Sequence, residues 1–373
     1  LFARLSDTTS PRHFVIVVAN HFEPSWSESG FLDDLDTQMR RLEGWCEDAR
    51  KIGDEVRDAD GTPYRHTNFY PAEQYRAPLL EMAADLQREG FGEVEVHLHH
   101  GVEGPDTAAN LRRALVGFRD ALSEEHKCLS RADGAGPAMY AFVHGNWALA
   151  NSAGGRCCGV DEEMSILAET GCYADLTLPS APDQSQVPRL NAVYEAGGPF
   201  DRARPHRKGK SLRVGSRPRL PVIMTGPLTF DWRRRIKGVP VPRIDGGALA
   251  SHEPLDLARF RRWAGARVHV EGRPEWVFVK LFCHGFFDSD RDVMLGDGAR
   301  RFWHDVMSLG EREGQFKIHF ATAREAFNIA MAAVDGHAGD PHQYRDYRLR
   351  PIMREKQSSL SEGSREKVRA EVF

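Results

Sequence analysis

The sequence predicts an α/β protein built as a barrel of seven or eight parallel (β/α) units. Two observations support this fold class. Short apolar, β-branched segments alternate with longer amphipathic stretches along most of the 373 residues, and this alternation is typical of parallel sheets. The number of such units favours a closed or nearly closed, TIM-like barrel over an open sheet.

The predicted strands are short runs rich in valine, isoleucine and aromatic residues. They cover residues 13–19, 66–70, 93–99, 139–144, 173–178, 221–225, 276–284 and 317–321. Two stretches between them, residues 74–89 and 106–122, carry apolar side chains at intervals of three and four residues. Leu79, Met82 and Leu86 follow this spacing, which predicts amphipathic helices.

One barrel domain is expected over residues 1–335, followed by a charged C-terminal extension over residues 336–373. A basic insertion near residues 200–220 interrupts the barrel pattern, with eight lysines or arginines between residues 202 and 219. Two interpretations of this insertion are open. It is either a mobile solvated loop or a segment that binds a phosphate group, because arginine pairs with phosphate through two hydrogen bonds.

Composition excludes several classes of protein. A net charge of −4 gives no reason to expect a nucleic-acid partner, and no apolar run reaches the roughly 18 residues that predict a transmembrane segment. The six cysteines form no C-x-x-C pair, so reduced thiols and a cytoplasmic location are expected. The glycine-rich dinucleotide and phosphate loops, the G-x-S-x-G elbow and H-E-x-x-H are also absent.

Histidines follow four of the predicted strands. The strand exits read Asn20-His21-Phe22-Glu23, His97-Leu98-His99-His100, His144-Gly145-Asn146-Trp147 and Cys283-His284-Gly285. In a parallel barrel the carboxyl ends of all strands meet at one face, and that face carries the active site. We therefore expect these side chains to converge on one site.

The exit of the third predicted strand, residues 97–100, gives the most specific prediction of the four. Residues two apart in a strand share a face, so His97 and His99 should point the same way, with His100 at the turn. Together with His21 or Glu23 they supply nitrogen and oxygen ligands for Zn²⁺ and leave a position open for water. The sequence therefore predicts a single zinc site, with His21, His97, His99 and His100 as the candidate ligands.

The remaining strand exits predict substrate contacts. Lys280 shares a strand face with His284 and is either a substrate contact or the partner of a buried carboxylate. His144, Asn146 and Trp147 combine hydrogen-bonding groups with a flat apolar ring, as the wall of a sugar-binding groove does; a tryptophan packed against the protein is the other open interpretation.

The order of these motifs resembles that of the polysaccharide deacetylase (carbohydrate esterase 4) superfamily over residues 13–330. Asn20 and His21 occupy the places of the two aspartates of its first motif. His97 matches the first histidine of the second motif, but the position of the second histidine is Gly101, so His99 or His100 must substitute. The groove motif matches His144 to Trp147, and the final strand closes with His284.

The resemblance implies a metal-dependent hydrolase on a distorted (β/α)7 barrel. Its substrate would be an acylated amino sugar of surface-polysaccharide biosynthesis, linked to a nucleotide or a lipid phosphate, from which it removes an acetyl or formyl group. Asn20 stands where the family has its catalytic base, so Glu23 is the candidate base. His284 is the candidate acid that protonates the departing amine.

Two other functions are compatible with the sequence. A glycoside hydrolase of the same barrel superfamily would pair Glu23 with a second carboxylate, for which the candidates are Asp161, Glu162 and Asp175. A sugar-binding homologue without activity would explain Asn20 at the position of the base. Carboxylate separation and dependence on metal distinguish these alternatives from the deacetylase.

Overall fold

The large sheet contains 12 strands in the computed structural model, which describes residues 11–253 and 255–353. The strands are β1 Arg12–His21, β2 His66–Pro71, β3 Gly92–Leu98, β4 Ser130–Ala132, β5 Ala138–His144, β6 Cys172–Asp175, β7 Val193–Ala196, β8 Gly209–Ser211, β9 Val222–Met224, β10 Trp276–His284, β11 Phe316–Phe320 and β12 Leu349–Pro351. Their order is β8-β7-β9-β6-β5-β3-β2-β1-β10, while β11 also pairs with β1, and β4 joins β5 to β12.

Most pairings in this sheet are parallel. The run β9-β6-β5-β3-β2-β1-β10 is parallel throughout, and β11 lies parallel to the first half of β1. Antiparallel pairing is confined to β7 and β8 at one edge and to the short strands β4 and β12. Three two-stranded ribbons lie outside the sheet: Trp26–Ser27 with Gly30–Phe31, Thr229–Asp231 with Arg243–Asp245, and Arg235–Ile236 with Val239–Pro240.

Eight α-helices connect the strands in the described residues. They are α1 Leu35–Glu55, α2 Ala77–Arg88, α3 Ala108–Asp120, α4 Glu163–Thr170, α5 Leu257–Gly265, α6 Arg291–Leu295, α7 Asp297–Glu313 and α8 Ala323–Val334. Single 3-10 turns span Ala72–Gln74, Gly145–Trp147, Leu149–Asn151, Pro205–Arg207, Asp288–Asp290 and Pro341–Tyr344, and a π-turn spans Ala121–Glu125. Side-chain oxygens of Asp34, Thr107, Asp256 and Thr322 cap α1, α3, α5 and α8.

All eight predicted strands and both predicted helices are present, with ends shifted by up to three residues. The continuous apolar sequence of β1 is explained by its position, because all ten of its residues are buried. Both faces of a parallel sheet are covered, so its strands need apolar side chains on both faces. The mixed α/β class with a parallel sheet is therefore confirmed.

The two faces of the sheet pack against different helices. Phe14, Ile16 and Val18 of β1 belong to a large core that also contains residues of α1 to α7. Val15 and Val17 belong to a second core, which contains most of α8. Every one of the 12 residues of α8 is buried, so a helix packs on the face where a barrel would have only the side chains of its strands.

The polar residues of α8 are all paired, which makes the burial of this helix possible. Arg324 donates to Glu93 of β3 at 2.7 Å, and Glu325 accepts from Arg65 at 2.6 Å. The side chain of Asn328 donates to the carbonyl oxygens of Arg345 and Leu349. A buried polar group costs little once its hydrogen bonds are satisfied.

Residues 336–353 do not form the separate charged extension that was expected. β12 pairs with β4, and the buried guanidinium of Arg345 contacts the carboxylates of Asp58 and Glu325. This segment thus completes the packing around α8, and the boundary at residue 335 does not separate two bodies. Residues 354–373, the rest of the predicted extension, and residues 1–10 lie outside the described residues.

The basic insertion is built into the edge of the sheet. β8 lies within it and pairs antiparallel with β7, and the side chains of His206 and Leu212 are buried. Its basic side chains remain outside, since Arg207, Lys208 and Lys210 are exposed. Strand pairing and burial do not fit the interpretation as a mobile loop.

No helix of the described residues combines the length and the apolar character needed to cross a membrane.

Candidate functional site

The carboxyl ends of β1, β3 and β10 lie at the same end of the sheet, with β2 between β1 and β3, and bring four of the predicted histidines together. His21 pairs with His284 in the register of β1 and β10. Their rings are 4.7 Å apart, and the ring of His21 is 4.8 Å from that of His97. His97 and His99 have ring centres 4.5 Å apart, so the prediction that they share a face is confirmed.

Glu23 lies at the centre of these histidines. Its Oε1 is 3.6 Å from Nε2 of His97 and 3.3 Å from Nε2 of His99. One ligand atom each of Glu23, His97 and His99 lie within 4.8 Å of one another, and the same holds for Glu23, His21 and His284. We call these five residues the Glu23 cluster.

Two imidazoles of the Glu23 cluster are oriented through their second nitrogen. Nδ1 of His97 donates to the carbonyl oxygen of Val143 at 2.7 Å, and Nδ1 of His99 lies 2.7 Å from Oε1 of Glu73. Each Nε2 is thereby directed at Glu23. Nε2 of His97 is buried and has no hydrogen-bond partner among the described residues, which is the state expected of a nitrogen that ligates a metal.

The charges in the cluster depend on its burial. Burial alone would raise the pKa of Glu23, but the neighbouring imidazoles of His97, His99 and His284 outweigh it and lower this pKa to about 2. Burial, followed by repulsion from His284 and His97, holds the pKa of His21 well below 6.5. Burial also lowers the pKa of His284. A carboxylate that is ionised at neutral pH, surrounded by imidazoles, is a suitable ligand set for a divalent metal.

His100 does not join the Glu23 cluster, contrary to the prediction of one site. It turns away at the end of β3 and contacts His144, with the two Nε2 atoms 3.0 Å apart. Oε1 of Glu163 is 3.4 Å from each of these nitrogens. With Cys158 these three residues form a second group with ligand atoms within 4.8 Å of one another, which we call the Glu163 cluster.

The placement of His144 does not support its predicted role in a substrate groove. Its side chain is wholly buried, and its Nδ1 contacts the carbonyl oxygen of Gly145. Burial lowers the pKa of His144 to about 4. Burial acts in the same direction on His100, but Glu163 and Asp106 outweigh it and raise the pKa of His100.

Asn20 is not brought to the Glu23 cluster either. Successive side chains of a strand point to opposite faces, so the neighbour of His21 lies on the face that packs against the helices. Its amide donates to Asn68 at 3.2 Å, and its oxygen accepts from the thiol of Cys283 at 3.4 Å. Asn20 is thus part of the buried packing, and this placement does not support the predicted catalytic role.

The other predicted substrate contacts are distributed around the strand ends. Asn146 is exposed and Trp147 half-buried, in a turn where both have positive φ angles. Lys280 is buried, and this burial lowers its pKa to about 7 despite the attraction of Asp175. The interpretation of Lys280 as the neighbour of a buried carboxylate fits this position.

A cavity of about 660 Å³ adjoins both clusters. Its lining includes Glu73, His99, His100 and Asp106, together with the first turns after β3. Gly145 allows the chain after β5 to lie close to the ring of His99, because a Cβ at this position would lie 2.3 Å from that ring. The volume is within the range typical of small-molecule sites.

Sequence patterns did not reveal four of the residues that complete these clusters. Glu73 and Asp106 fix the rings of His99 and His100, Glu163 contacts both His100 and His144, and the thiol of Cys158 donates to Glu163. Glu73 lies just before the predicted helix over residues 74–89, and Asp106 is the first residue of the stretch 106–122; polar residues are common at such positions. The only sequence signal that could have identified them is the occurrence of acidic residues near a strand exit that is rich in histidines.

Searches of protein-family models, of curated proteins and of solved structures found no match to this chain.

Proposed function

We propose that the protein is a metal-dependent hydrolase that removes an acetyl or formyl group from an amino sugar. The observation that carries this proposal is the orientation of His97 and His99. Both have Nδ1 engaged by an acceptor and Nε2 directed at Glu23, and Nε2 of His97 is buried without a hydrogen-bond partner in the described part of the chain.

His97, His99 and Glu23 would hold the metal, and zinc suits this set of two imidazoles and a carboxylate. Glu73 and the carbonyl oxygen of Val143 orient the two rings, as partners of ligating histidines do in other metal sites. Three protein ligands leave a position for water. The ligand atoms of His21 and Glu23 lie within 4.8 Å of each other, and His21 remains a predicted ligand.

A bound divalent metal would polarise the acyl carbonyl and lower the pKa of a water molecule. His284 would move the proton. Burial keeps its imidazole neutral near pH 7, so it can accept the proton that the attacking water loses. It would then donate this proton to the nitrogen of the amine as the amide bond breaks, because an unprotonated amine is a poor leaving group.

In this proposal Glu23 is a ligand and not the base. A carboxylate with a pKa of about 2 is ionised at neutral pH and binds a cation readily, but it is a weak acceptor of protons. In this proposal the role of base predicted for Glu23 passes to His284.

We also propose that the sheet curves into a distorted barrel. The amide of Phe282 in β10 donates to the carbonyl oxygen of Gly247, and the amide of Leu249 donates to that of Phe282. The amide of Gly226, just beyond β9, donates to the carbonyl oxygen of Leu178. The first two bonds add residues 247–249 to the edge of β10, and a Cβ on Gly226 would lie 2.5 Å from the carbonyl oxygen of Lys280 in the same strand. This approach of the chain beyond β9 to β10 supports a distorted barrel with α8 on its inner face.

The group to which the sugar is linked, a nucleotide or a lipid phosphate, remains a prediction. Exposed Arg207, Lys208 and Lys210 would suit a nucleotide-linked or lipid-phosphate-linked sugar, and no contact of the described residues bears on it further.

The double substitution His97→Ala, His99→Ala tests the metal site. The variant should lose the metal held at the Glu23 cluster and keep its fold, because strand-end side chains contribute little to the core. Bound zinc per chain is measured by elemental analysis and the fold by circular dichroism. His126→Ala, which removes a buried histidine paired with Glu81, is the control. Zinc content equal to that of the wild type would refute the proposed site.

A further inference from the structure

We propose that His100, His144, Cys158 and Glu163 bind a zinc ion in a closed, structural site, separate from the Glu23 cluster. This inference concerns other residues than the proposed function and does not depend on it.

The four residues come from different parts of the chain and meet in the interior. His100 follows β3, His144 ends β5, Cys158 lies in the loop before α4, and Glu163 begins α4. All four are buried, and three of them have no exposed surface. Such polar groups are rarely gathered in the interior of a protein unless they are paired or hold a metal.

The two imidazoles present the same nitrogen to each other. Nδ1 of His100 contacts Oδ2 of Asp106 at 3.0 Å, and Nδ1 of His144 contacts the carbonyl oxygen of Gly145. If each Nδ1 carries the proton, the two Nε2 atoms, 3.0 Å apart, face each other with lone pairs. Something positive, a proton or a cation, must lie between them.

The distances and donor types suit zinc. Tetrahedral zinc with nitrogen and oxygen ligands places neighbouring ligand atoms roughly 3.3 Å apart, as follows from its bond lengths. The separations between the two Nε2 atoms and Oε1 of Glu163 are 3.0, 3.4 and 3.4 Å. The sulfur of Cys158 lies 3.3 Å from the other oxygen of Glu163. Two imidazoles, a thiolate and a carboxylate complete four-coordination, so no position is left for substrate.

A second observation near the Glu163 cluster concerns His206 of the basic insertion. His206 is wholly buried, and neither of its ring nitrogens has a hydrogen-bond partner among residues 11–253 and 255–353. Burial lowers the pKa of His206 to about 4, and the next two contributions come from Glu163 and His144, so its ring lies near the Glu163 cluster. An unpartnered imidazole beside four potential ligands fits a site that is completed by an ion.

A zinc ion bound at this site would stabilise the loop between β5 and α4. Asn146, Trp147, Ala150, Asn151 and Cys157 of this loop have positive φ angles, an unfavourable conformation for residues other than glycine. The loop also touches the turn after β3, where a Cβ on Gly101 would lie 2.2 Å from the carbonyl oxygen of Cys158. Ligands on both sides of this contact would hold the strained loop in place.

Cobalt substitution tests the site through its single sulfur ligand. We expect the wild-type chain loaded with Co²⁺ to show a thiolate-to-cobalt charge-transfer absorption, because a thiolate is bound. Cys158→Ser should lose this absorption and one equivalent of metal. Cys157→Ser, the change at the adjacent half-buried cysteine, should keep both. A cobalt-saturated wild type without the absorption would show that a shared proton, not a metal, joins the imidazoles, and would overturn the proposal.

X-ray absorption on the variant His97→Ala, His99→Ala separates the two sites and covers the case in which Cys158→Ser fails to fold. Its remaining zinc should have one sulfur neighbour at about 2.3 Å. A variant that binds no zinc, or zinc with only nitrogen and oxygen neighbours, would contradict the structural site. Loss of activity in this variant, with the sulfur-bound zinc retained, would support both the catalytic metal site and the structural zinc site.

Discussion

His284 is the residue whose chemical role a single substitution can define. We expect His284→Ala to lower kcat by about 10²–10⁴-fold on an N-acyl sugar, as the loss of a general acid does. An activated ester should be affected much less, because its leaving group needs no proton. Zinc content should not change. Exposed His252 provides the control, as His252→Ala. Equal losses on amide and ester would instead make His284 a ligand, since its ligand atom lies near those of His21 and Glu23.

Glu95 should make stability depend on pH in a way that one substitution removes. Burial raises the pKa of Glu95 to about 8, against the hydrogen bonds from Tyr173 and from the amide of Ala141. Between about pH 4.5 and 8 the folded chain keeps this proton and the unfolded chain releases it. Stability from this group is therefore complete at low pH and is lost as the pH rises, by up to about 1.4 kcal/mol per pH unit.

The substitution Glu95→Gln should flatten this slope, measured as the free energy of urea unfolding at several pH values. Glu162→Gln, at an exposed position, should retain the wild-type profile. A profile for Glu95→Gln that runs parallel to the wild type would show that Glu95 is ionised in the fold.

Strand periodicity predicts single residues well within a strand and as far as the first residue beyond it, and poorly further into the turn. It correctly placed His97 with His99 on one face. It also implies that Asn20 and His21 point apart, although the family resemblance treated them as one motif. His100 could not be assigned, because the direction of a side chain in a turn depends on the residues that receive it, here Asp106 and Glu163.

At the scale of elements, α8 and the segment after it stabilise the sheet together. α8 packs on the sheet face opposite α1 to α7, and the chain that follows supplies partners for its polar side chains. Its sequence has apolar residues on all sides, which is typical of a fully buried helix. The apolar pattern was visible beforehand, but its place in the fold was not, because it depends on β11 pairing with the first half of β1.

Removal of residues 336–373 should therefore destabilise the fold. Glu325 would lose its contact with Arg345, and Arg324 and Asn328 would lose backbone acceptors. Breaking one buried ion pair costs about 3–5 kcal/mol, so we expect a loss of at least this order in urea unfolding. A chain that ends at residue 353 keeps all these contacts and is the control. Equal unfolding midpoints would mean that the segment is an appendage, as the sequence had suggested.

Should the shortened chain fail to fold, Arg345→Ala offers a milder version of the same test. It removes the contacts with Asp58 and Glu325 but leaves the rest of the segment in place. An unfolding midpoint unchanged from that of the wild type would again contradict a structural role.

On the scale of the whole molecule, the parallel sheet gathers histidines from distant parts of the sequence at the carboxyl ends of its strands. His21 and His284 are far apart in the chain but paired in the sheet. This convergence could be predicted, because all strands of a parallel sheet deliver the same end to one side. The division into two clusters could not, because it depends on Cys158 and Glu163, which lie in a loop and at a helix start that no strand pattern positions.

Release of acid is the measurement that tests the central claim most directly. The chain stripped of metal and the same chain reloaded with zinc are compared on N-acetylated and N-formylated amino sugars, with His97→Ala beside them. We expect free acetate or formate only from the zinc-loaded wild type, with activity lost in His97→Ala. Acid release that survives complete removal of metal would contradict the account. Cleavage of a glycosidic bond, or tight sugar binding without turnover, would contradict it in favour of a glycosidase or a binding protein.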